Sequence, residues 1–107
     1  MPRSPLAPWK EQVTFLESAE REFHSLPGNI QDAFIAAFPQ FVQHPTRATA
    51  TLDVAPVRDR AGRWRLKVPG GHRGIYRIVQ GRPDFEMFQT RDEVYQKLRR
   101  YLISRRE

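Results

Sequence analysis

The hydrophobic pattern of the chain has two halves with different periods. In the first, Val13 and Phe15 alternate against Gln12, Thr14 and Leu16, which predicts a strand over Glu11–Glu17. Ser18 is then a good N-cap, with Glu20 and Glu22 in the first turn, and a short helix is expected from Ala19 to about Ser25. Pro27-Gly28 ends it. Asn29 can cap a second helix, whose apolar face carries Ile30, Phe34, Phe38, Phe41 and Val42. Pro39 lies inside that pattern. It lacks an N–H and clashes with the carbonyl four residues back, so a kink or stop is expected near Ala37. His44-Pro45 closes the segment.

In the second half the period falls to two. Arg63–Val68 alternates strictly, Pro69-Gly70-Gly71 turns, and His72–Val79 continues as a second strand. Gly81-Arg82-Pro83 turns again and Asp84–Gln89 makes a third strand. A final helix is expected over Arg91–Ile103, with Val94, Leu98 and Leu102 on one face. Residues 46–56 have no clear period and read as loop or a weak edge strand. Residues 1–10 contain three prolines and read as a flexible leader before a single domain, 11–107. The expected fold is α+β: two N-terminal helices and a C-terminal helix packed on a mainly antiparallel four-stranded sheet.

Composition narrows the function. The 107 residues include no cysteine, which excludes disulfides, thiolate metal sites and a cysteine nucleophile. His24, His44 and His72 have no partner at helical spacing, so no metal site is expected. Gly70-Gly71 opens no helix and is a turn, not a phosphate loop. No small-molecule cofactor is implied. No apolar run approaches the roughly 20 residues of a membrane span, and the N-terminus lacks a secretory h-region. A cytoplasmic protein is expected. Asp84, Glu86 and Asp92 scatter over a strand and a turn and read as surface charges.

Charge changes the picture most. Eighteen Lys and Arg oppose twelve Asp and Glu, and fifteen of the eighteen are Arg. Residues 1–56 carry four basic and six acidic residues, net −2, whereas 57–107 carry fourteen basic and six acidic, net +8. A basic half of a small domain is the footprint of a polyanion partner.

The hairpin collects that charge. If Val68 faces His72 across the turn, Lys67 faces Arg73, Arg65 faces Ile75, Trp64 faces Tyr76 and Arg63 faces Arg77. Side chains alternate between faces. One face then gathers Arg63, Arg65, Lys67, Arg73 and Arg77, and the other Trp64, Leu66, Val68, Tyr76 and Ile78. The second set is core. The first contains two directly opposed pairs of like charge, which disfavour the sheet. Folding alone gives no reason for them, whereas a bound polyanion relieves the repulsion.

The hairpin Trp64-Arg65-Leu66-Lys67-Val68 … His72-Arg73-Gly74-Ile75-Tyr76-Arg77-Ile78, with Arg91-Asp92-Glu93-Val94-Tyr95 behind it, resembles the RelE/ParE superfamily of bacterial toxins. Ser18-Ala19-Glu20, Leu26-Pro27 and His44-Pro45 match that family's first half, so the likeness covers about residues 11–102. It implies a RelE-like fold and a toxin held by a cognate antitoxin. The RelE branch cuts mRNA in the decoding site of the ribosome and so inhibits translation. The ParE branch acts on DNA gyrase by protein binding. Carried over residue by residue, Arg65, Lys67, Arg73 and Tyr95 match the catalytic set, with Tyr95 stacked on a substrate base. Arg63, Arg77 and Arg91 are the further expected RNA contacts. The chain departs from the family where Gln89 stands in place of a catalytic Arg, and where Arg65 replaces Lys.

The chemistry stands on its own terms. Cleavage of RNA by its own 2′-OH needs a base near that hydroxyl, charge neutralisation at the phosphate, and an acid at the leaving 5′-oxygen. A Lys ringed by Arg is poised for proton transfer, and Arg suits phosphate clamping. Three function classes follow: an endoribonuclease toxin, a ParE-like gyrase inhibitor that needs neither Lys67 nor Tyr95, and a non-catalytic nucleic-acid-binding relative.

Overall fold

A computed structural model describes residues 4–58 and 60–90 of the chain. Strand β1 is Thr14–Phe15, helix α1 Glu17–His24 and helix α2 Gly28–Phe41. Strands β2 (Asp53–Pro56), β3 (Trp64–Val68), β4 (His72–Val79) and β5 (Arg82–Thr90) follow. The sheet has five strands in the order β1-β5-β4-β3-β2. β1 runs parallel to β5, and every other pairing is antiparallel. The expected four-stranded sheet therefore gains a fifth strand, β2, from the segment that showed no period. Among the described residues no helix is long and apolar enough to cross a membrane. The expected C-terminal helix lies outside the described residues.

Both helices cover one face of the sheet. Ala19, Phe23, Ile30, Phe34, Phe38 and Phe41 are buried there against Val54, Leu66, Val68, Tyr76, Phe85 and Phe88. The rings interlock, with centroids 4.8 Å apart for Phe85–Phe88, 5.0 Å for Phe41–Tyr76 and 5.1 Å for Phe34–Phe88. A register shift between β4 and β5 makes this possible. Ile75 pairs with Met87 but Tyr76 pairs with Phe85, so Glu86 is an extra residue on β5. The bulge turns both Phe85 and Phe88 toward the helices, which strict alternation forbids.

Four sequence expectations change. The leader is not loose over residues 4–10: a 3-10 turn over Ala7–Trp9 seats a fully buried Leu6, and Trp9 packs edge-on against Phe38. The strand expected over 11–17 shrinks to two residues, because the Val13 N–H bonds back to the Trp9 carbonyl at 2.9 Å. Helix α1 begins at Glu17 after Leu16, so Ser18 is inside it, and α2 begins at Gly28 after Pro27, so Asn29 caps nothing. Pro39 does not end α2. Burying Phe38 and Phe41 stabilises by roughly 1.5–3 kcal/mol each, enough to offset a cost of about 3 kcal/mol for an interior proline.

Gly74, central on β4, lies directly beneath the ring cluster. A methyl there would lie 2.6 Å from Phe85 Cε1 and 2.9 Å from Phe88 Cε1, and both rings are themselves enclosed. Gly74→Ala is therefore expected to destabilise the fold by about 1–3 kcal/mol, the usual cost of overpacking. Urea unfolding of the variant against the parent measures it, and an unchanged midpoint would contradict the packing described.

Candidate functional site

The turn between β3 and β4 fixes the geometry of the sheet face opposite α1 and α2. Gly70 and Gly71 have φ of 99° and 82°, a left-handed conformation that glycine adopts without strain. The resulting register is the one expected from the sequence: Val68 faces His72, Lys67 faces Arg73, Leu66 faces Gly74, Arg65 faces Ile75 and Trp64 faces Tyr76. The flanking strands extend the Lys67–Arg73 pair into a row. Asp53 on β2 faces Lys67, and Gln89 on β5 faces Arg73. Asp53, Lys67, Arg73 and Gln89 thus stand side by side across four strands, with facing Cβ atoms about 4.5–5.5 Å apart.

The cations are more compensated than the sequence suggests. Arg63 is ion-paired with Glu86, the bulge residue, and its Nη2 donates to Glu86 Oε2 at 3.2 Å. Arg65 Nη1 donates to Asp53 Oδ1 at 3.0 Å. Arg77 Nε donates to Asp84 Oδ2 at 3.3 Å, while Thr14 Oγ1 donates to Asp84 Oδ1 at 2.8 Å. The expectation of five cations without counterions is corrected accordingly, and Arg63 does not pair with Arg77, because β3 begins at Trp64. Asp84 and Glu86, read from sequence as surface charges, are structural: Asp84 is buried and Glu86 half-buried. Lys67 is the exception. Among the described residues it has no ion pair and no hydrogen bond, because the carboxylate facing it is engaged with Arg65. Beside it opens a cleft of about 700 Å³ between the 48–53 segment and the β3–β4 turn, lined by Lys67, Asp53 and Thr49 among others.

The far end of the row meets α1. Strand β1 pairs with only two residues of β5, leaving the later edge of β5 without a strand partner among the described residues. Glu22 covers it: its carboxylate accepts the Phe88 N–H at 3.2 Å and the Gln89 Nε2–H at 2.5 Å. Gln89, the residue that departs from the RelE pattern, therefore stands next to Arg73 with its amide held by α1. Behind the row, the Tyr76 hydroxyl donates to the Pro45 carbonyl. Burial holds that phenol well above its ordinary range, against a smaller opposing pull from Arg65, so it stays neutral in the core.

The structure thus brings Arg65, Lys67 and Arg73 together on one face and commits Arg63 and Arg77 to carboxylates at its margins. Tyr95 and Arg91 lie outside the described residues. Sequence reasoning missed Asp53, which sits in a stretch without period, and Glu22, which was read only as first-turn charge on α1.

The two kinds of ion pair differ in what they hold. The Arg63 and Glu86 side chains are 18% and 20% exposed, whereas Asp53 is 53% exposed. Glu86→Ala is expected to cost about 1.5–3 kcal/mol, as for a shielded charged hydrogen bond. Asp53→Ala is expected to cost under about 1 kcal/mol, as for a solvated pair. Chemical denaturation of the two variants checks the order, and equal losses would contradict it.

No protein-family model matches the chain, and no curated protein matches it. Solved structures do. A chain of the RelB–RelE antitoxin–toxin complex from Methanococcus jannaschii superposes with TM-score 0.64 at 16% identity, over 79% of this chain and 98% of that one. A chain of the RelBE2 toxin–antitoxin complex from Mycobacterium tuberculosis gives TM-score 0.56 at 27% identity, over 75% and 96%. A variant of the E. coli toxin RelE in the free state gives TM-score 0.59 at 15% identity, over 78% and 88%. The chain has the fold of the RelE toxins of type II toxin–antitoxin systems.

Proposed function

We propose that this chain is the toxin of a toxin–antitoxin pair, an endoribonuclease that cleaves mRNA on the ribosome and so inhibits translation. One observation carries the reading: Lys67 stands beside Arg73 and one alternate position from Arg65, on the sheet face opposite α1 and α2, with no counterion of its own among the described residues. Like charges facing each other across strands disfavour the fold, and a phosphate backbone is the partner that turns them into binding energy. In this reading Arg65 and Arg73 hold the scissile phosphate, Lys67 protonates the leaving 5′-oxygen, and Tyr95 stacks on a substrate base. Arg91 adds a backbone contact. The antitoxin is an acidic or amphipathic segment that covers the hairpin face and keeps RNA out. The toxin–antitoxin complexes with the same fold support that partner.

Toeprinting of mRNA on programmed ribosomes tests the reading, with cleavage expected only when the protein is added. Lys67→Ala should lower turnover roughly 10²–10⁴-fold, the worth of a positioned acid, with little change in RNA affinity. Arg73→Ala should weaken binding and turnover together. Small, equal losses in both variants would mean that the face binds RNA without cutting it.

Tyr95 gives a separate check. A stacking tyrosine works through its ring, so Tyr95→Phe should retain most activity. Tyr95→Ala should lose the roughly 1–3 kcal/mol of one stacked base, about 5- to 150-fold, with the melting temperature held. A fully active Tyr95→Ala protein, or one that simply unfolds, would remove the stacking role.

A further inference from the structure

The reaction proposed above needs three groups, and the basic row supplies only two. Arg65 and Arg73 suit the phosphate, and Lys67 suits the leaving oxygen. Neither arginine is a proton acceptor, because the guanidinium keeps its charge. If Lys67 gives a proton to the 5′-oxygen, it cannot also take the one from the 2′-hydroxyl in the same step. The base is missing from the set that the sequence provides.

The structure assigns that role to Asp53: we propose that its carboxylate, facing Lys67 from the edge strand β2, is the general base that activates the 2′-hydroxyl. Three observations place it there. Asp53 is the register partner of Lys67, so acid and base stand on neighbouring strands on the same face. Its Oδ1 accepts from Arg65 Nη1 at 3.0 Å, which fixes the carboxylate beside a phosphate-binding guanidinium. The side chain is nevertheless 53% exposed, and it lines the 700 Å³ cleft with Lys67, so a ribose can reach it.

The step balances without any further reactant. The 2′-O–H proton passes to the Asp53 carboxylate as the 2′-oxygen bonds to phosphorus. The P–O5′ bond breaks, and the departing oxygen takes a proton from the Lys67 ammonium. The products are a 2′,3′-cyclic phosphate and a 5′-hydroxyl end. Solvent then removes the proton from Asp53 and returns one to Lys67.

A purely structural Asp53 has a different signature. If it only holds Arg65, its loss should weaken phosphate binding, and no added base should restore the rate. If it is the base, removing a negative charge should leave RNA binding unchanged or tighter while the chemical step slows. The inference rests on the endoribonuclease reading, so the parent protein is assayed first.

The experiment is single-turnover cleavage of ribosome-bound mRNA by the full chain and by Asp53→Asn, Asp53→Ala and Asp53→Glu, with melting temperatures alongside. Asp53→Asn should be slower by roughly 10²–10⁴-fold, with undiminished RNA affinity and an unchanged melt. Asp53→Glu should recover part of the rate. Asp53→Ala should be accelerated by added acetate or imidazole, and more by the stronger base. RNA carrying a 5′-sulfur leaving group, which needs no protonation, should rescue Lys67→Ala but not Asp53→Asn. An Asp53→Asn protein within a few-fold of the parent overturns the proposal and leaves the endoribonuclease reading standing. So does a slowed variant with weakened RNA binding and no response to added base. A parent that cleaves nothing overturns both.

Discussion

The register between β3 and β4 is the constraint on which the rest of the molecule depends. Side chains alternate with a period of two, so a slip of one residue would exchange the two faces completely. Trp64, Leu66 and Val68 would then meet solvent, and Arg65 and Lys67 would enter a core of aromatic rings. Burying unpaired charges costs several kcal/mol each, far more than the repulsion of the part-exposed Lys67 and Arg73. The chain therefore cannot relieve its opposed charges by sliding. The turn holds the same register locally through two glycines in the left-handed region. Opposed like charges are thus the consequence of a correct core.

β5 manages the charge that this arrangement creates. Its bulge at Glu86 does two things at once: it points Phe85 and Phe88 into the same core, and it sends a carboxylate toward Arg63. Two residues earlier, Asp84 serves Arg77 and Thr14 together. On the other edge, Asp53 serves Arg65. Counterions therefore come from strands on both sides of the hairpin and engage Arg63, Arg65 and Arg77. At its centre Lys67 and Arg73 face each other.

Much of this was legible in the sequence, and the reasons for the rest are physical. The period-two run predicted the pairing of residues 64–68 with 72–76 and the core positions Leu66, Val68 and Tyr76, whereas Ile78, expected in the core, is 37% exposed and Ile75, on the cation face, is buried. The Phe-rich face of α2 was equally plain, since a ring every three or four residues has one cheap place to go. What failed were features with no local signature. Two-residue β1 is a strand only because β5 lies beside it. Leu6 is buried only because the folded core leaves room for it. Pro39 was judged by its local cost, which tertiary packing of its neighbours outweighs. The carboxylate partners were invisible because an ion pair across 12 residues (Asp53–Arg65) or 23 (Arg63–Glu86) is set by strand order, not by spacing.

Strand order also explains why the candidate site is a row on a sheet and not a loop constellation. A facing position on a packed strand is held by backbone hydrogen bonds and by the core beneath it, so its side chain needs little further support to keep its place. Lys67 stands above a core that includes Leu66 and Val68 on its own strand, both buried. Asp53 precedes Val54, which is buried in the same cluster. Asp53, Lys67 and Gln89 are therefore each adjacent in sequence to a buried apolar residue that anchors them. The alternation that buries the core is the same alternation that spaces Lys67, the arginines and Asp53. One pattern thus specifies stability and chemistry together, and a substitution on the wet face can alter the second while leaving the first intact.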